Sequence, residues 1–497
     1  MSIKHLCVVS DLHLWQATDH EELWMRYRQR RFLPDAQFAA LISKLCKQIA
    51  PGDLTLVLNG DIFDFDLPPV VDGHPVSERS PRTELASVKR LKLILADHDV
   101  FLSSLSKLLL RGDRLVFVAG NHDLQLNFPA VQKLLLDRLL AGCEAERIAI
   151  DRAELTNRVL FRSWFFSEAG MHVEHGNQYD PYCAVRDPEW PFLVSGRLQT
   201  TVGTLTLEHL IGKLGYFNPN VESTYLLTTK EYLQHFLRYY SRSPRSLLRT
   251  FFVGSLQILF ELLAENGIHG PGLRDPSLYP PDAAAHTTLF ATLDYRATMR
   301  LLRIDRMLTL LGLLGLLLLC LLWWPAAIIY ALILQFVCSV LKPERSFDLS
   351  DVCAEVSKTM RRIVCFYGCR AIVFGHTHAP EGKWESGVFY GNSGTWVPMY
   401  HDVACSVIVE ESRPFIWLWE TDEGLKGGLH RFHNNTIHLV TSQPQGRQTV
   451  RRAETVPSVT RHATHPRSGS NRQRVCPQSQ SVPPLMNPGS EQPRRDA

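Results

Sequence analysis

The segment AIVFGHTH, residues 371–378, is a short apolar run that ends at Gly375 and then presents two histidines, His376 and His378. If the glycine lets the backbone bend, imidazoles at i and i+2 converge on neighbouring points. Neutral imidazoles so placed ligate transition metals. Four more apolar runs end in the same kind of residue. Residues 3–10 lead to Asp11 and His13; 54–58 lead to Gly60, Asp61 and Asp64; 115–119 lead to Gly120, Asn121, His122 and Asp123; 171–174 lead to His175, Gly176 and Asn177. The set Asp11, His13, Asp61, Asn121, His175, His376 and His378 mixes carboxylate, amide and imidazole, with no thiolate. That donor set suits Mn, Fe or Zn in an open site better than a closed structural zinc site. It is too large for one ion and fits two divalent metal ions that share a carboxylate, an arrangement that clamps the attacking and leaving oxygens of phosphoryl transfer. His122, between Asn121 and Asp123, is placed to face a substrate as proton donor or charge stabiliser, with Asp123 orienting its ring.

Such residues need strands to carry them. The apolar runs read as buried strands of an α/β sheet, whose carboxyl ends are where site residues collect. A helix is expected over 35–49, stopped by Pro51 and Gly52, and a helical region over about 82–110. Residues 388–390 lead into GNSGTW (391–396), and strands at 405–410 and 415–419 close a sheet. The first fourteen residues contain no long apolar core of a signal peptide.

The rhythm changes between 181 and 350, where helical segments dominate. Residues 247–264 read as a buried or interfacial amphipathic helix. Residues 307–341 are thirty-five positions without a charged side chain, interrupted by Trp323, Trp324 and Pro325. One straight helix of that length would reach about 50 Å against an apolar slab of about 30 Å. Two arms, 307–324 and 326–341, fit a tight membrane-inserted hairpin. Two crossings also return the chain to its starting side, as the GHTH histidines require. Arg296, Arg300, Arg303 and Arg306 before the run and Lys342 and Arg345 after it place both ends in the cytoplasm.

Composition narrows the classes. A formal charge of +3 over 497 residues, with no dense basic and aromatic groove near the motifs, gives no reason to expect nucleic acid as a partner. The basic cluster Arg26, Arg28, Arg30 and Arg31 reads as a solvated surface or as a contact to phosphate or anionic headgroups. The eleven cysteines are scattered, and Cys7, Cys320, Cys338 and Cys365 lie in apolar runs as small core thiols. Residues 442–497 are rich in Arg, Gln, Ser and Pro and are expected to be disordered.

In their order, DLH, GDIFD, GNHD, HGN and GHTH resemble the motif set of the calcineurin-like metallophosphoesterase superfamily, over roughly residues 1–180 and 351–420. The resemblance implies a four-layer αββα sandwich in halves 1–180 and 351–441, interrupted by a helical, membrane-associating insertion at 181–350. It implies one metal on Asp11, His13, Asp61 and His378 and a second on Asp61, Asn121, His175 and His376. His122 then faces the substrate, and Asp64 and Asp123 support the ligands. HGN stands where the family commonly has HGD or HGH. The insertion and the SDLHL opening are similar to the branch typified by UDP-diacylglucosamine pyrophosphatase, whose bacterial members carry arginine in place of His122. The expected activity is metal-dependent hydrolysis of a phosphoester or pyrophosphate that is lipid- or nucleotide-linked, at the membrane. The alternatives are a tethered phosphatase or cyclic-nucleotide phosphodiesterase with a soluble substrate, and a non-catalytic scaffold.

Overall fold

The computed structural model describes residues 3–441 apart from 73, 77, 146–150, 215–233, 235–236, 239–243, 266–285, 294, 303, 341–348 and 410–411. The expected tail, the second flank of the hairpin and Arg303 therefore lie outside the described residues. In chain order the main elements are β1 (His5–Val9), α1 (Asp35–Gln48), β2 (Leu54–Asn59), α2 (Glu84–Leu95), α3 (Asp99–Leu110), β3 (Arg114–Val118), α4 (Pro129–Ala145), β4 (Val159–Arg162), β5 (Phe165–Glu168) and β6 (Met171–Glu174). Then follow α5 (Val202–Thr206), α6 (Pro244–Glu265), α7 (Ile304–Leu322), α8 (Trp324–Val340), α9 (Leu349–Tyr367), β7 (Ala371–Phe374), β8 (Glu381–Glu385), β9 (Val388–Asn392), β10 (Arg413–Thr421), β11 (Gly424–His433) and β12 (Thr436–Leu439).

Two sheets form. One runs β12-β11-β10-β1-β2-β3-β4, parallel from β1 to β4 and antiparallel beyond β1; the other runs β8-β9-β7-β6-β5, with β9, β7 and β6 parallel. Alternation along each strand divides its side chains between two cores. Leu6, Val8, Val57 and Val116 meet Val173, Ala371, Val373 and Phe389 between the sheets. Cys7, Val9, Leu56, Leu58 and Phe117 face α1, α3 and α4, where Phe38, Leu45, Phe101, Leu108 and Leu135 cover them. On the outer face of the second sheet, α9 lays Val352, Val356, Met360 and Ile363, a 3.6-residue stripe, over Ile372 and Phe374. The result is an α/β sandwich with helices outside both sheets. Each fully buried side chain of this kind contributes about 1.5–3 kcal/mol.

The helical region at 82–110 is two helices with a break at His98, whose ring is held between Asp35 Oδ2 (2.9 Å) and the Trp15 carbonyl (3.0 Å). The strand expected at 405–410 is absent among the described residues, where only an isolated bridge joins Tyr400 and Ile408. The Asp402 carboxylate accepts the N–H groups of Ser406 (2.9 Å) and Val407 (2.7 Å), which removes them from a ladder. Cys320 and Cys365 are exposed rather than core thiols. Of the basic cluster, Arg30 and Arg31 are exposed, as a solvated surface requires, and Arg28 is not. Arg28 is buried and donates to the carbonyls of Pro68 (2.8 Å) and Gln16 (2.9 Å), while Arg30 pairs with Asp97 at 2.8 Å.

Helices α7 and α8 form an antiparallel pair that turns at Trp323, two residues earlier than expected. Pro325 then falls in the first turn of α8, where its missing N–H has no helical partner to lose. A Cβ at Gly312 would overlap the Leu334 side chain, and one at Gly315 would come within 2.9 Å of the Tyr330 hydroxyl, so these glycines let the helices approach. Outward, Leu314, Leu317, Leu318, Leu321 and Leu322 are 55–76% exposed. The first arm is long and apolar enough to cross a membrane by length and composition, with a mean hydropathy of 2.1.

One stability prediction arises in β11. The His430 ring is buried between Phe415 and Trp417 at centroid distances of 5.4 Å, and burial pushes its imidazole down to about 4. The unfolded side chain titrates near 6.5, so between about pH 6.5 and 4 the unfolded chain binds a proton that the folded chain does not. Stability therefore falls as pH drops through that window. His430→Phe keeps the stack and removes the proton site. Its loss of stability between pH 7 and 5 should be smaller than that of the natural chain by about 2 kcal/mol in urea titrations. Equal losses would contradict it.

Candidate metal centre

The strand-end residues meet at one edge of the sandwich. Asp11 and His13 leave β1, Asp61 leaves β2, Asn121 and His122 leave β3, His175 leaves β6, and His376 and His378 leave β7. His378 Nε2 lies 3.2 Å from Asp11 Oδ1 and 3.3 Å from His13 Nε2. His13 Nε2 is 3.8 Å from Asp61 Oδ2, and His175 Nε2 is 3.1 Å from the same oxygen. Asp11, His13 and His378 thus form one ligand-sized group, Asp61, His175 and His376 a second. Asn121 is buried beside them. Only His122, His376 and His378 are partly exposed, so they form the mouth.

The backbone is bent to bring these groups together. Asp11 (φ 52°), His13 (42°), Asp61 (52°), His376 (66°) and His378 (57°) all occupy the left-handed region. Each such residue costs about 1–2 kcal/mol, a strain that persists only where surroundings impose it. Here the loops hold one another. The Asp11 N–H donates to the Gly60 carbonyl (3.1 Å), the His13 N–H to the Asp61 carbonyl (2.8 Å), and the His376 N–H to Asp11 Oδ2 (3.1 Å). The GNSGTW loop adds the Thr395 hydroxyl and Trp396 N–H, both donated to the Asp11 carbonyl, and Asn392 Nδ2, donated to the Gly375 carbonyl.

Groups outside the ligand set, a backbone carbonyl and a carboxylate, choose which ring nitrogen faces inward. His175 Nδ1 is held at 3.0 Å from the Asn59 carbonyl, which leaves Nε2 toward Asp61. His376 Nε2 meets Asp180 Oδ2 at 3.0 Å, which leaves Nδ1 for ligation. His122 Nδ1 sits between Asp64 Oδ1 (3.5 Å) and Asp66 Oδ2 (3.4 Å). Asp123, expected to orient the His122 ring, does not do so. Its carboxylate accepts the N–H groups of Gly120 (2.7 Å), Ile62 (2.8 Å), Asp61 (3.3 Å) and Phe63 (3.4 Å), locking the β2 loop to the β3 loop. Four convergent donors leave that carboxylate no reach toward the ring. Asp66, Asp180 and Asn59 escaped the sequence reading. The alternation in DIFDFD and the carboxylate five residues after His175 were the available signals.

The electrostatics fit divalent cations. Asp11, Asp61 and Asp64 are all buried. Burial opposes charge on Asp61, yet the imidazoles of His175, His122 and His13 hold it well below the usual carboxylate range. Burial likewise opposes charge on His175, but the Asp61 and Asp11 carboxylates push it up to about 9. Buried carboxylates packed this closely need cationic compensation. Meanwhile Asp11 Oδ1, Asn121 Oδ1 and His175 Nε2 are buried without a hydrogen-bond partner. Unpaired ligand atoms of these types around one point are what ions would satisfy.

Gly120 tests this packing. A Cβ there would overlap Asp61 Oδ1 and lie 2.5 Å from the Asp61 nitrogen. Gly120→Ala should therefore displace Asp61 and weaken Mn²⁺ uptake by at least about tenfold with the circular dichroism unchanged. Uptake equal to the natural chain would show that Asp61 does not need its place.

No protein-family model and no curated protein matches this chain. Solved structures to which it is similar include a single-mutant Vps29 from Entamoeba histolytica, at 16% identity and a TM-score of 0.14 over 18% of this chain and 45% of that one. Vps29 from Cryptosporidium parvum is similar at 15% identity and a TM-score of 0.14 over 17% and 42%. The phosphopantetheinyl hydrolase of Mycobacterium tuberculosis is similar at 14% identity and a TM-score of 0.22 over 80% and 91%. The match spans less than half of either Vps29 chain. Likeness at these TM-scores carries no functional weight, so the chemistry has to be read from the side chains.

Proposed function

We propose that this chain is a membrane-anchored phosphoesterase with two divalent metal ions, hydrolysing a phosphoester or pyrophosphate bond of a lipid- or nucleotide-linked substrate. The observation that carries the reading is the convergence of carboxylate and imidazole side chains from five strand ends on one open-mouthed point, with Asp11 Oδ1, Asn121 Oδ1 and His175 Nε2 buried there without a hydrogen-bond partner. Asp11, His13, Asp61 and His378 would hold one ion, and Asp61, Asn121, His175 and His376 the other. Bound there, ions of the Mn, Fe or Zn type would supply Lewis acidity and neutralise charge on a phosphoryl group. The chain's own residues do the rest. Asn59 and Asp180 fix ring orientation. Asp123 keeps Asp61 in place through the loop. His122 stands at the mouth with its Nδ1 flanked by the Asp64 and Asp66 carboxylates at 3.5 and 3.4 Å, and its ring would pass a proton to a leaving oxygen.

The insertion supports a lipid surface as the place of action. Its hairpin exposes a leucine face, and Arg296, Arg300 and Arg306 before it orient the domain toward the cytoplasm. The test is product analysis on the detergent-purified, Mn²⁺-loaded chain, with Asp61→Ala as blank. UDP-diacylglucosamine, an aryl phosphodiester and an aryl monoester are offered side by side. Turnover of any of them, lost in the variant, is the expected result. UMP release would select the pyrophosphatase branch, and turnover of the simple esters alone would exclude it. Failure on all three would count against the phosphoester reading.

A further inference from the structure

One acidic residue at the site, outside the seven residues assigned as ligands, contacts the insertion. Asp66 is 3% exposed. Its Oδ2 lies 3.4 Å from His122 Nδ1 and accepts the Thr204 hydroxyl at 2.9 Å; its Oδ1 accepts the Ser80 hydroxyl at 2.7 Å. Thr204 stands on α5, a short insertion helix whose start is capped by the Thr201 hydroxyl. Around it the insertion is seated firmly. Glu208 Oε1 accepts the Ser80 N–H at 2.8 Å, Arg79 pairs with Glu261 at 2.9 Å, and Arg82 pairs with Glu265. Val202 and Leu205 of α5 share one apolar cluster with Ile258 and Leu262 of α6 and with Leu302 and Ile304. Ile304 is the first residue of the hairpin helix α7. A continuous set of contacts therefore runs from the base of the hairpin, through α5, to His122 Nδ1, a buried nitrogen that makes no hydrogen bond and has the Asp66 and Asp64 carboxylates as its charged neighbours at 3.4 and 3.5 Å.

We propose that Asp66 is a positioning residue for His122 and that the insertion, through the Thr204 hydroxyl, sets the position of Asp66. This rests on the phosphoester reading of the site and adds regulation to it: the seat of the insertion governs proton delivery. In that step a water oxygen bonds to phosphorus and releases a proton to solvent. The bond from phosphorus to the leaving oxygen breaks with its electron pair, and that oxygen takes the proton from His122 Nε2. His122 regains a proton from solvent. Without the Thr204 hydroxyl, Asp66 Oδ2 is free to turn, and the ring loses one of the two carboxylate oxygens flanking Nδ1. The fold leaves the second, Asp64 Oδ1, in place through the N–H groups of Asp66 (3.1 Å) and Leu67 (3.2 Å). The effect should be graded rather than total.

Two measurements test it on the full chain in detergent. The first is independent of turnover: nitrogen NMR of histidine-labelled, metal-free protein, with the His122 signals assigned by their loss in His122→Gln. Asp66→Asn and Thr204→Val should both move the His122 ring signals, and Thr204→Ser should restore them. The second compares an aryl with an alkyl phosphodiester in the Mn²⁺-loaded chain. A poor alkyl leaving group needs the proton and an aryl one does not. Asp66→Asn should slow the alkyl ester by about tenfold more than the aryl ester, Thr204→Val less, with Thr204→Ser near the natural chain. Unmoved ring signals in both variants, or equal losses on both esters, would overturn the proposal. If Asp66→Asn does not fold, the Thr204 pair alone decides by the same criteria. Ring signals that move in a natural chain without turnover would keep the positioning role and remove the phosphoester reading instead.

Discussion

Asp61→Ala should abolish the centre. The natural chain is expected to take up two divalent ions per molecule by elemental analysis, and the variant at most one, weakly. Asp61 has this weight because both ligand groups use it. One of its oxygens is 3.1 Å from His175 Nε2 and 3.8 Å from His13 Nε2, and the other accepts the His122 N–H at 2.8 Å. Its removal separates the two groups and frees the loop that carries His122. A thermal readout checks this without any substrate. At a hundredfold excess over Kd, one bound ion stabilises the folded chain by about 2.7 kcal/mol, so Mn²⁺ should raise the natural Tm and leave that of the variant nearly unmoved. Turnover of any phosphoester the natural chain accepts should fall by at least about 10²–10³-fold. An equal Tm rise in both proteins would show that the ions sit elsewhere.

Replacing residues 310–337 with a short Gly-Ser linker should move the protein from membranes to the soluble fraction. The cut is made there because the hairpin ends meet: Thr309 Oγ1 lies 3.8 Å from Cys338 Sγ, so a few residues close the gap. The apolar cluster containing Ile304 is kept, and with it the seat of the insertion. The expected size of the change follows from the surface removed. Leu313, Leu314, Leu317, Leu318, Leu321 and Leu322 are each more than half exposed on one helix, and Ile329, Leu332 and Phe336 on the other. Burying one such side chain contributes about 1.5–3 kcal/mol, and contiguous faces of this kind are rare on soluble monomers. The natural chain should resist alkaline extraction; the shortened one should not, with Mn²⁺ uptake retained. A natural chain recovered without detergent as a stable dimer would place protein, not lipid, on this face. Activity of the shortened chain on a short-chain, soluble substrate would make the hairpin a tether rather than part of the substrate site.

Much of the fold, and the convergence of the strand-end carboxylates and histidines, could be read locally. β6 and β7 occupy the expected positions 171–174 and 371–374, and β1, β2 and β3 lie within a residue or two of theirs. These strands are buried on both faces, so they appear as unbroken apolar runs, and a run stopped by a glycine and a carboxylate or histidine marks its own end. The helix pair was legible for a related reason: a long uncharged apolar run broken by Trp323, Trp324 and Pro325 marks two helical arms and locates the turn to within two residues.

What the tertiary structure alone decided is which polar group reaches which. Asp64, Asp66 and Asp123 are similar carboxylates near His122 in sequence. Packing sends Asp123 to four backbone N–H groups and leaves Asp64 and Asp66 beside the ring. Arg28, which the sequence reads as part of a solvated surface or as a phosphate contact, is instead a buried strut, because its loop closes over the carbonyls of Gln16 and Pro68. Asp180 and Thr204 acquire roles only once distant segments meet, His376 being 196 residues from the first and Asp66 138 from the second. Hydrophobic burial is set by runs of neighbouring residues and is therefore written along the chain. A hydrogen bond depends on distances of a few tenths of an ångström between groups that only the folded core brings together.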